Sequence, residues 1–579
     1  MPSSFKVSRL SQSLGFIFAL GACAAFAQPF PPSAGSLSTA PVTPPAAPAK
    51  SPTFDVQQEA RPALVRPGGV KFKARSFKIS GNTIFSEAIL ASLLTPYIGQ
   101  DLDLAGLDQV TGVISQYYRS KGYFVARAYL PAQEVVSGNI EIAVIEGRLG
   151  AIKFKRSGTT RLTDARAEGY LAGASPVGAP IREQYIERGL MLLNDLPGVE
   201  VKSTLIPGAT PGSSDLVVET TEGGLVSGSI DGDNFGNKYT GIARVGATVN
   251  LNNPLGIGDQ LVVRVLTTGV GLKYGRVAYS APIGNMGTKL GASLSKLDYR
   301  LGKDFAILNA TGKSTVGSLF AVQPLVRSRN NNVYVTATYD SKRLTDDQLG
   351  ANVTNKKIGV FGLGLTGDMR DGFGGGGLTA AGLTFARGTL DLSGNANNVA
   401  NDALTARTAG SYSKVNYNAS RLQRIDDVWS VYANFTGQNA SKNLDSSEKF
   451  VLGGLGVRAY AQGEASGDSG TLLNLEARYN IPGFEFGNLQ VVGFYDYGSI
   501  QLHKTLWAGW QPVGLPNFPN KYSLSGAGIG LNIYKENNFS VRSSVAWKVG
   551  TNPGRDALGR DSDSESKSAR FWIQLTKQF

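Results

Sequence analysis

Hydrophobic and polar residues alternate along most of the carboxy-terminal part of the chain, residues 224–579. A strand with this two-residue period has one apolar and one polar face, because successive side chains point to opposite sides. In one such stretch the apolar face is Leu473, Leu475, Ala477 and Tyr479, and the polar face is Asn474, Glu476 and Arg478. By this pattern residues 224–579 contain sixteen strands, among them 260–267, 333–339 and 540–549. The sequence therefore predicts one large antiparallel sheet.

A sheet of this size without covering helices exposes one face and two edges unless it closes on itself. In a soluble protein the apolar face would be a core, whereas in an outer-membrane barrel it meets lipid and the polar face lines a wet lumen. The outward-facing residues of the last predicted strand are Phe571, Ile573, Leu575 and Phe579. A last strand that ends on an aromatic residue at the carboxy-terminus is a recurring feature of outer-membrane barrels. We therefore predict an all-β transmembrane barrel of sixteen antiparallel strands over 224–579, with Phe571 and Phe579 as its assembly signal.

Two similar units precede the barrel, at residues 71–149 and 150–223. Each has the order strand, helix, helix, strand, strand, and a repeat of about 75 residues indicates tandem modules. In the first unit Ser86 is the expected cap of the first helix, and Gly122 ends the second. We predict two small α+β domains, which could also be mere spacers.

The first 70 residues are predicted to be a targeting segment and a linker. Lys6 and Arg9, an apolar run and Ala25-Phe26-Ala27 have the pattern of a secretory signal peptide over residues 1–27. A lipoprotein cleavage site ending at Cys23 is the alternative. Residues 28–70 are rich in proline and are predicted to be an extended periplasmic linker, with room for a short helix at 54–60 before Pro62.

Composition argues against catalysis and against nucleic-acid binding. The chain has 57 Lys and Arg against 44 Asp and Glu, but the basic residues are scattered singly along strands rather than clustered. That charge suits a cationic lumen or periplasmic face that attracts an acidic polypeptide or lipopolysaccharide. With one His and one Cys, no group has metal-ligand spacing, so we expect no enzyme, metal or cofactor. Ser469 matches a serine-hydrolase motif, yet the sole histidine, His503, lies in another loop.

Two short motifs near the end of the chain carry a family resemblance. Val457-Arg458-Ala459-Tyr460 lies in a glycine-rich loop, about 450–470, after the eleventh predicted strand. Phe494, Asp496 and Gly498 lie in the thirteenth strand. Together with the signal segment, the paired α+β units and the barrel, these motifs resemble a two-partner secretion outer-membrane transporter of the haemolysin/haemagglutinin activator type. The paired units resemble POTRA domains of the POTRA-barrel superfamily.

The resemblance implies an outer-membrane transporter that recognises a large partner exoprotein, adhesin-like or haemolysin-like, through periplasmic POTRA domains and secretes it without ATP. It also implies contact with outer-membrane lipid and lipopolysaccharide, insertion by the barrel assembly machinery, no nucleic acid, and function as a monomer. The motif usually has Gly at the position of Ala459, so no positive φ is expected there. An amino-terminal plug helix is common in such transporters, and the prolines of 28–70 leave room for only a short one.

Alternation also predicts how the two motifs meet. Asp496 should point into the lumen with Phe494, and the long loop lets Arg458 fold back and pair with it bidentately. In a wet lumen such a pair should contribute about 1–2 kcal/mol, with Tyr460 packed beside Phe494. The alternative is a surface loop with Arg458 in solvent. Rival functions are a barrel assembly factor of the same superfamily, a diffusion porin and a soluble β-protein.

Overall fold

The computed structural model describes residues 31–37, 53–56, 71–135, 137–158 and 160–579. The predicted signal peptide, 1–27, lies outside the described residues. Among the described residues, no helix is both long enough and apolar enough to cross a membrane. The chain begins with the helix α1 (Ala34–Leu37) and the strand β1 (Thr53–Val56).

The first unit is a three-stranded sheet covered by two helices. Its elements are β2 (Phe72–Lys73), β3 (Ser76–Ser80), α2 (Glu87–Leu94), a 3-10 turn (Thr95–Tyr97), β4 (Asp101–Leu102), α3 (Leu104–Ser120), β5 (Arg127–Tyr129) and β6 (Asn139–Ile145). The sheet order is β3-β6-β5, and β2 pairs with β4 beside it. Helix α3 buries Leu107, Val110 and Ile114, the helical stripe that the sequence shows. Ser86 stands at the N-cap of α2 as predicted, but its side chain makes no capping hydrogen bond.

The second unit repeats this order and adds a strand from the linker. Its elements are β7 (Arg148–Ser157), α4 (Asp164–Ala174), α5 (Glu183–Asn194), β8 (Val199–Pro207) and β9 (Ser213–Glu222). The sheet order is β1-β8-β9-β7, with β1 parallel to β8. The short helix expected at 54–60 is therefore wrong at 54–56, because these residues hydrogen-bond as a strand to the edge of β8, and 57–60 lie outside the described residues.

A closed sixteen-stranded antiparallel barrel forms the rest of the chain, as predicted. Its first strands are β10 (Val226–Asp233), β11 (Arg244–Asn252), β12 (Gln260–Thr267), β13 (Leu272–Ile283), β14 (Thr288–Arg300), β15 (Thr311–Arg327), β16 (Asn331–Gln348), β17 (Ala351–Asp371) and β18 (Gly377–Asp391). After α6 (Ala396–Leu404) come β19 (Gly410–Arg424), β20 (Trp429–Ala440), the short loop strands β21 (Phe450–Val451) and β22 (Ser466–Gly467), and then β23 (Ser469–Ile481), β24 (Asn488–Gln501), β25 (Lys521–Lys535), β26 (Phe539–Val549) and β27 (Ala569–Gln578). Two 3-10 turns, Lys303–Leu308 and Phe373–Gly375, lie between strands. Strands β10 and β27 pair to close the cylinder.

The alternating pattern places apolar side chains outside and a mixed set inside. On β17, Phe361, Leu363 and Leu365 are half exposed on the outer face, whereas Ile358 and Val360 are buried inside. Several strands are longer than the sequence pattern shows: β16 runs over 331–348, not 333–339. In residues 340–348 of β16 both faces carry charged residues, so the alternation of apolar and polar residues stops before the strand does.

The second unit is fastened to the periplasmic rim of the barrel. Arg327 on β15 donates to both oxygens of Asp195, from Nε at 2.7 Å and from Nη2 at 2.6 Å. Arg188 donates to the carbonyls of Pro324 and Leu325, each at 3.1 Å. These bonds orient α5 and its domain against the barrel wall.

The amino-terminal segment 31–37 lies inside the barrel rather than in a periplasmic linker. Ala34 is fully buried in the apolar cluster of the lumen, and its N–H donates to Asp346 Oδ1 at 2.7 Å. Asp346 also accepts from the Tyr299 hydroxyl at 2.7 Å. The prediction of an extended linker throughout 28–70 is thus wrong at α1, since small residues such as Ala34 and Gly35 fit a narrow lumen where bulkier ones would not.

Candidate functional site

The loop between β20 and β23 folds back into the barrel. Its strands β21 and β22 pair with each other, Phe450 with Gly467 and Val451 with Ser466. Between them the chain turns tightly, with Val457 N–H donating to the Leu452 carbonyl at 2.6 Å. Val457 itself is fully buried in an apolar cluster with Leu452 of the loop and Leu472 and Val492 of the barrel wall. The loop motif is therefore held within the lumen and does not extend into solvent.

Arg458 and Asp496 form a bidentate pair inside the barrel. Arg458 donates from Nε to Asp496 Oδ2 at 2.9 Å and from Nη2 to Oδ1 at 2.7 Å. The backbone N–H of Arg458 donates to the same Oδ2 at 3.0 Å. One carboxylate thus binds both the side chain and the main chain of the loop, which fixes the direction of approach as well as the distance.

Neighbouring polar residues complete the coordination of this pair. Asn474 donates from Nδ2 to Asp496 Oδ1 and to the Gly456 carbonyl, both at 2.8 Å. Glu476 accepts from Arg458 Nη1 at 2.8 Å, and its other oxygen accepts from Arg478 Nε at 2.8 Å. All three predicted lumen-facing residues of β23 therefore face the lumen, and Arg478 reaches the loop only through Glu476.

The pair is buried, which corrects the expectation of a wet and screened contact. The Asp496 side chain is 0% exposed and that of Arg458 is 15% exposed. Burial lowers the pKa of Arg458, but the hydrogen bonds and charges of Asp496 and Glu476 outweigh it and raise that pKa above its usual value. Removing one partner would leave a buried charge unpaired, at a cost of about 3–5 kcal/mol, rather than the 1–2 kcal/mol of an exposed pair.

Aromatic side chains pack around the tip of the loop. The Arg458 guanidinium carbon lies 3.5 Å from the centre of the Phe494 ring, a close cation–π contact. Tyr460 is fully buried in the apolar cluster that also contains Phe494, and Lys548 Nζ lies 5.2 Å from the centre of its ring. Trp572 donates from Nε1 to the Arg458 carbonyl at 2.6 Å. The loop thus contacts the last strand of the barrel as well as β24.

Glycines of the barrel wall make room for the loop. A Cβ on Gly498 would lie 2.6 Å from Leu452 Cδ2, and one on Gly526 would lie 2.6 Å from Ala459 Cβ. Gly498 therefore belongs to the site because its missing side chain admits Leu452. Ala459 does not have a positive φ, so its methyl group packs on the flat wall at Gly526 without strain.

A second set of contacts ties the start of the loop to another part of the wall. Glu448 accepts from Lys342 at 2.6 Å and lies 3.0 Å from Lys414, and Asp445 lies 2.6 Å from Lys356. Burial raises the pKa of Glu448, but the charges of Lys342 and Lys414 outweigh it and lower that pKa below its usual value. We call residues 445–448 the acidic anchor.

The acidic anchor also meets the amino-terminal segment. The Ser33 and Ser446 hydroxyls lie 3.0 Å apart, and a Cβ on Gly35 would lie 2.9 Å from the Ser447 nitrogen. The loop and residues 31–37 therefore fill the lumen together, in direct contact.

Comparison with known proteins places this architecture in a family. The family described as "Haemolysin secretion/activation protein ShlB/FhaC/HecB" matches residues 212–533, more than half of the chain. The chain belongs to this family. A second match, "POTRA domain, ShlB-type", covers residues 72–147, the first α+β unit.

Similar proteins support the same assignment. The heme/hemopexin transporter protein HuxB of Haemophilus influenzae (strain 86-028NP) is 30% identical over 498 residues, 85% of this chain and 84% of its own. The outer membrane transporter CdiB of Dickeya dadantii (strain 3937) is 25% identical over 478 residues, 76% of this chain and 80% of its own. The solved structure of CdiB from Escherichia coli matches with a TM-score of 0.70 at 20% identity, over 90% of this chain and 93% of that one, which shows the fold.

These findings confirm the two-partner secretion transporter that the sequence motifs indicated. The chain is an outer-membrane transporter of a secreted partner, with its POTRA domains in the periplasm. The rival functions of assembly factor and diffusion porin find no support in the family match.

Ser469 and Asp468, in the motif that resembles a serine-hydrolase signature, accept hydrogen bonds from the backbone of neighbouring segments. Ser469 Oγ accepts from the Ala440 N–H at 3.1 Å, and Asp468 accepts from the N–H groups of Leu444 and Lys504. The motif that resembled a hydrolase signature thus holds the upper end of the pore loop.

Phe571 and Phe579 lie on the outer surface, 53% and 61% exposed. The backbone of Phe579 pairs with Gly228 through N–H to O bonds of 3.0 and 2.9 Å, so the terminal residue takes part in closing the barrel.

Sequence reasoning missed Trp572, the acidic anchor and its three lysines. A signal for the lysines was present, because alternation places Lys342, Lys356 and Lys414 at inward positions of their strands. Trp572 lies between two residues of the predicted outward set, Phe571 and Ile573, and no local pattern indicates its contact with Arg458.

Proposed function

We propose that this chain is the pore through which one large adhesin-like or haemolysin-like protein leaves the periplasm, and that the loop carrying Arg458 controls the pore. The contact of Arg458 with Asp496 is the observation that carries this proposal. Through this contact, both the main chain and the side chain of a long loop are bound to one strand of the barrel. Breaking such a contact changes the lumen without disturbing the barrel.

Passage of a polypeptide requires the lumen to be vacated. Residues 31–37 and the acidic anchor occupy it in this structure, held by polar contacts such as Ala34 to Asp346 and Glu448 to Lys342. We propose that these segments withdraw when the partner enters the pore, while the Arg458 pair keeps the loop tip in register. Folding of the partner outside the cell would then make export directional without ATP.

We propose that the POTRA domains receive the partner as an extended segment. Such a segment binds by adding a strand to a free sheet edge. Edge strands available for this are β3 and β5 in the first unit and β7 in the second, since β1 covers the edge of β8. The linker strand β1 would therefore direct the partner to these other edges.

The remaining partners are the membrane and the assembly machinery. The apolar outer face takes lipid and lipopolysaccharide, and the exposed aromatic residues Phe571 and Phe579 are proposed as the signal that the barrel assembly machinery reads. Since one chain closes the barrel by pairing β10 with β27, we propose that it works as a monomer.

The test replaces Arg458 and a matched arginine. Arg264 also binds an aspartate bidentately in the lumen, at 2.9 and 3.0 Å from Asp231, but has no bond to the loop. We expect Arg458→Ala to reduce secretion of the partner exoprotein at least tenfold, with the barrel still inserted, and Arg264→Ala to leave secretion within twofold. Equal secretion by Arg458→Ala and the parent would refute the proposal.

A further inference from the structure

Basic side chains line the outer face of the barrel at the extracellular ends of six consecutive strands, β13 to β18. All of them are exposed: Lys273, Lys296, Lys313, Arg343, Lys357 and Arg387. Their sequence neighbours, such as Leu297, Leu344 and Ile358, are buried on the inner face. We call these six residues the basic row.

An apolar band lies directly below the basic row. Leu319, Tyr339 and Phe361 are 61%, 49% and 50% exposed on the outer face, and they pair side by side across β15, β16 and β17. Arg343 follows Tyr339 by four residues on its strand, so it lies roughly 13 Å further along. Because the POTRA domains mark the opposite, periplasmic end, the basic row stands at the headgroup level of the outer leaflet.

The centre of the row is a small polar cavity between β16, β17 and the end of β18. It measures about 380 Å³, and Arg343, Thr345, Asn355, Lys357 and Ser393 line it together with Asp391. Arg343 and Lys357 are paired directly opposite each other across two strands. Like charges in this position repel and destabilise a sheet unless an anion lies between them.

Neither cation of the cavity has an ion-pair partner within 4 Å among the residues that the structure describes, although Asp391 pairs with Lys357 in register across β18. The adjacent Lys356 points inward and is paired with Asp445 at 2.6 Å. The inner lysines of this wall are thus neutralised, whereas the two outer cations are left for an anion from outside.

The next strands around the barrel differ at the same level. Strands β19, β20, β23 and β24 carry neutral residues on their outer faces there, namely Ser411, Ser413, Asn439, Thr471 and Ser499. The basic row is therefore a local feature of one side. A translocating polypeptide passes through the lumen and does not reach it.

We propose that the basic row, with the cavity between Arg343 and Lys357 at its centre, binds the phosphate groups of lipopolysaccharide in the outer leaflet. This deepens the lipid contact named under the proposed function and needs only the outer-membrane location, not the role of the loop. Arg343 and Lys357 contact the phosphate, Thr345, Asn355 and Ser393 supply hydrogen-bond donors, and the acyl chains lie on the apolar band at Tyr339 and Phe361.

The experiment measures binding of bisphosphorylated lipid A to the full chain in detergent by native mass spectrometry. We expect the double variant Arg343→Gln/Lys357→Gln to bind at least tenfold more weakly than the parent. Lys521→Gln, an exposed cation at the extracellular end of β25 and outside the row, is the matched control and should bind as the parent does. Heat-modifiability on gels verifies that each barrel is folded.

Two further arms identify the source of the phosphate. In the first arm, the parent should bind lipid A without phosphates weakly, as the double variant binds bisphosphorylated lipid A. In the second arm, millimolar inorganic phosphate should not displace bisphosphorylated lipid A from the parent. Undiminished binding by the double variant, equal binding of dephosphorylated lipid A, or displacement by free phosphate would each overturn the proposal. The Arg458→Ala chain should bind lipid A normally, so a failure here is distinct from a failure of the loop proposal.

Discussion

At the scale of single residues, the site depends on glycines without side chains as much as on the charged pair. Arg458 and Asp496 supply the charges, but Gly498 and Gly526 supply the flat wall on which Leu452 and Ala459 rest. A buried ion pair adds little stability over apolar packing of the same shape, and its value lies in fixing one arrangement. The pair and the glycines therefore act together to set the position of the loop.

A substitution at Gly498 tests this packing. Gly498→Ala should push Leu452 away and reduce secretion several-fold, because the new Cβ would lie 2.6 Å from Leu452 Cδ2. Leu452→Ala in the same chain should recover part of the loss by removing the atoms in conflict. Gly493→Ala on the same strand is the control, since its Cβ would meet nothing within 4 Å. Normal secretion by Gly498→Ala would show that the loop does not need this contact.

At the scale of elements, alternation predicted the barrel strands well, because each strand shows its inner and outer face locally. It placed Asp496 in the lumen and led to Arg458, since a long loop with one arginine has few partners there. It did not reveal the burial of the pair, the acidic anchor or the contact from Trp572. These features depend on contacts between elements that are distant in the chain, such as Trp572 and Arg458 at a separation of 114 residues, and no local pattern indicates them.

The acidic anchor predicts a change in conductance. Glu448→Gln would leave Lys342 and Lys414 facing each other without a carboxylate, so the start of the loop should loosen while Arg458 remains bound. We expect a larger conductance of the purified chain in planar bilayers. Glu485→Gln, an exposed carboxylate in a periplasmic turn, is the control. If Glu448→Gln had the same closed-state conductance as the parent, the acidic anchor would not hold the loop in the lumen.

The terminal residue predicts a change in abundance. Phe579→Ala keeps the backbone pairing with Gly228 but removes the exposed ring, whereas deletion of Phe579 removes both. If the assembly machinery reads the aromatic ring, both variants should be several-fold depleted from outer-membrane fractions. Depletion by the deletion alone would assign the effect to barrel closure.

At the scale of the whole molecule, the POTRA domains, the rim contacts and the pore form one path from periplasm to surface. Two cationic residues, Arg327 and Arg188, hold the second domain at the barrel entrance. The fold class could be read from the sequence because both halves repeat a local pattern. The position of helix α1 in the lumen could not be predicted from the sequence, because it follows from the shape of the closed barrel.

Deletion of residues 72–222 tests the periplasmic half. The barrel should still insert, because its strands pair only with one another, but export should stop for lack of a docking edge. Continued secretion at a tenth or more of the parental amount would contradict a docking role for the POTRA domains.

The most direct test of the account is a double-mutant cycle of secretion with Arg458→Ala and Asp496→Ala. Residues that act through one contact show strongly non-additive losses. We predict that each single variant loses secretion at least tenfold with an inserted, heat-modifiable barrel, and that the double variant is no worse than either one. If the two losses simply multiplied, or if Arg458→Ala secreted like the parent, the loop would not be held by Asp496 for the purpose of transport.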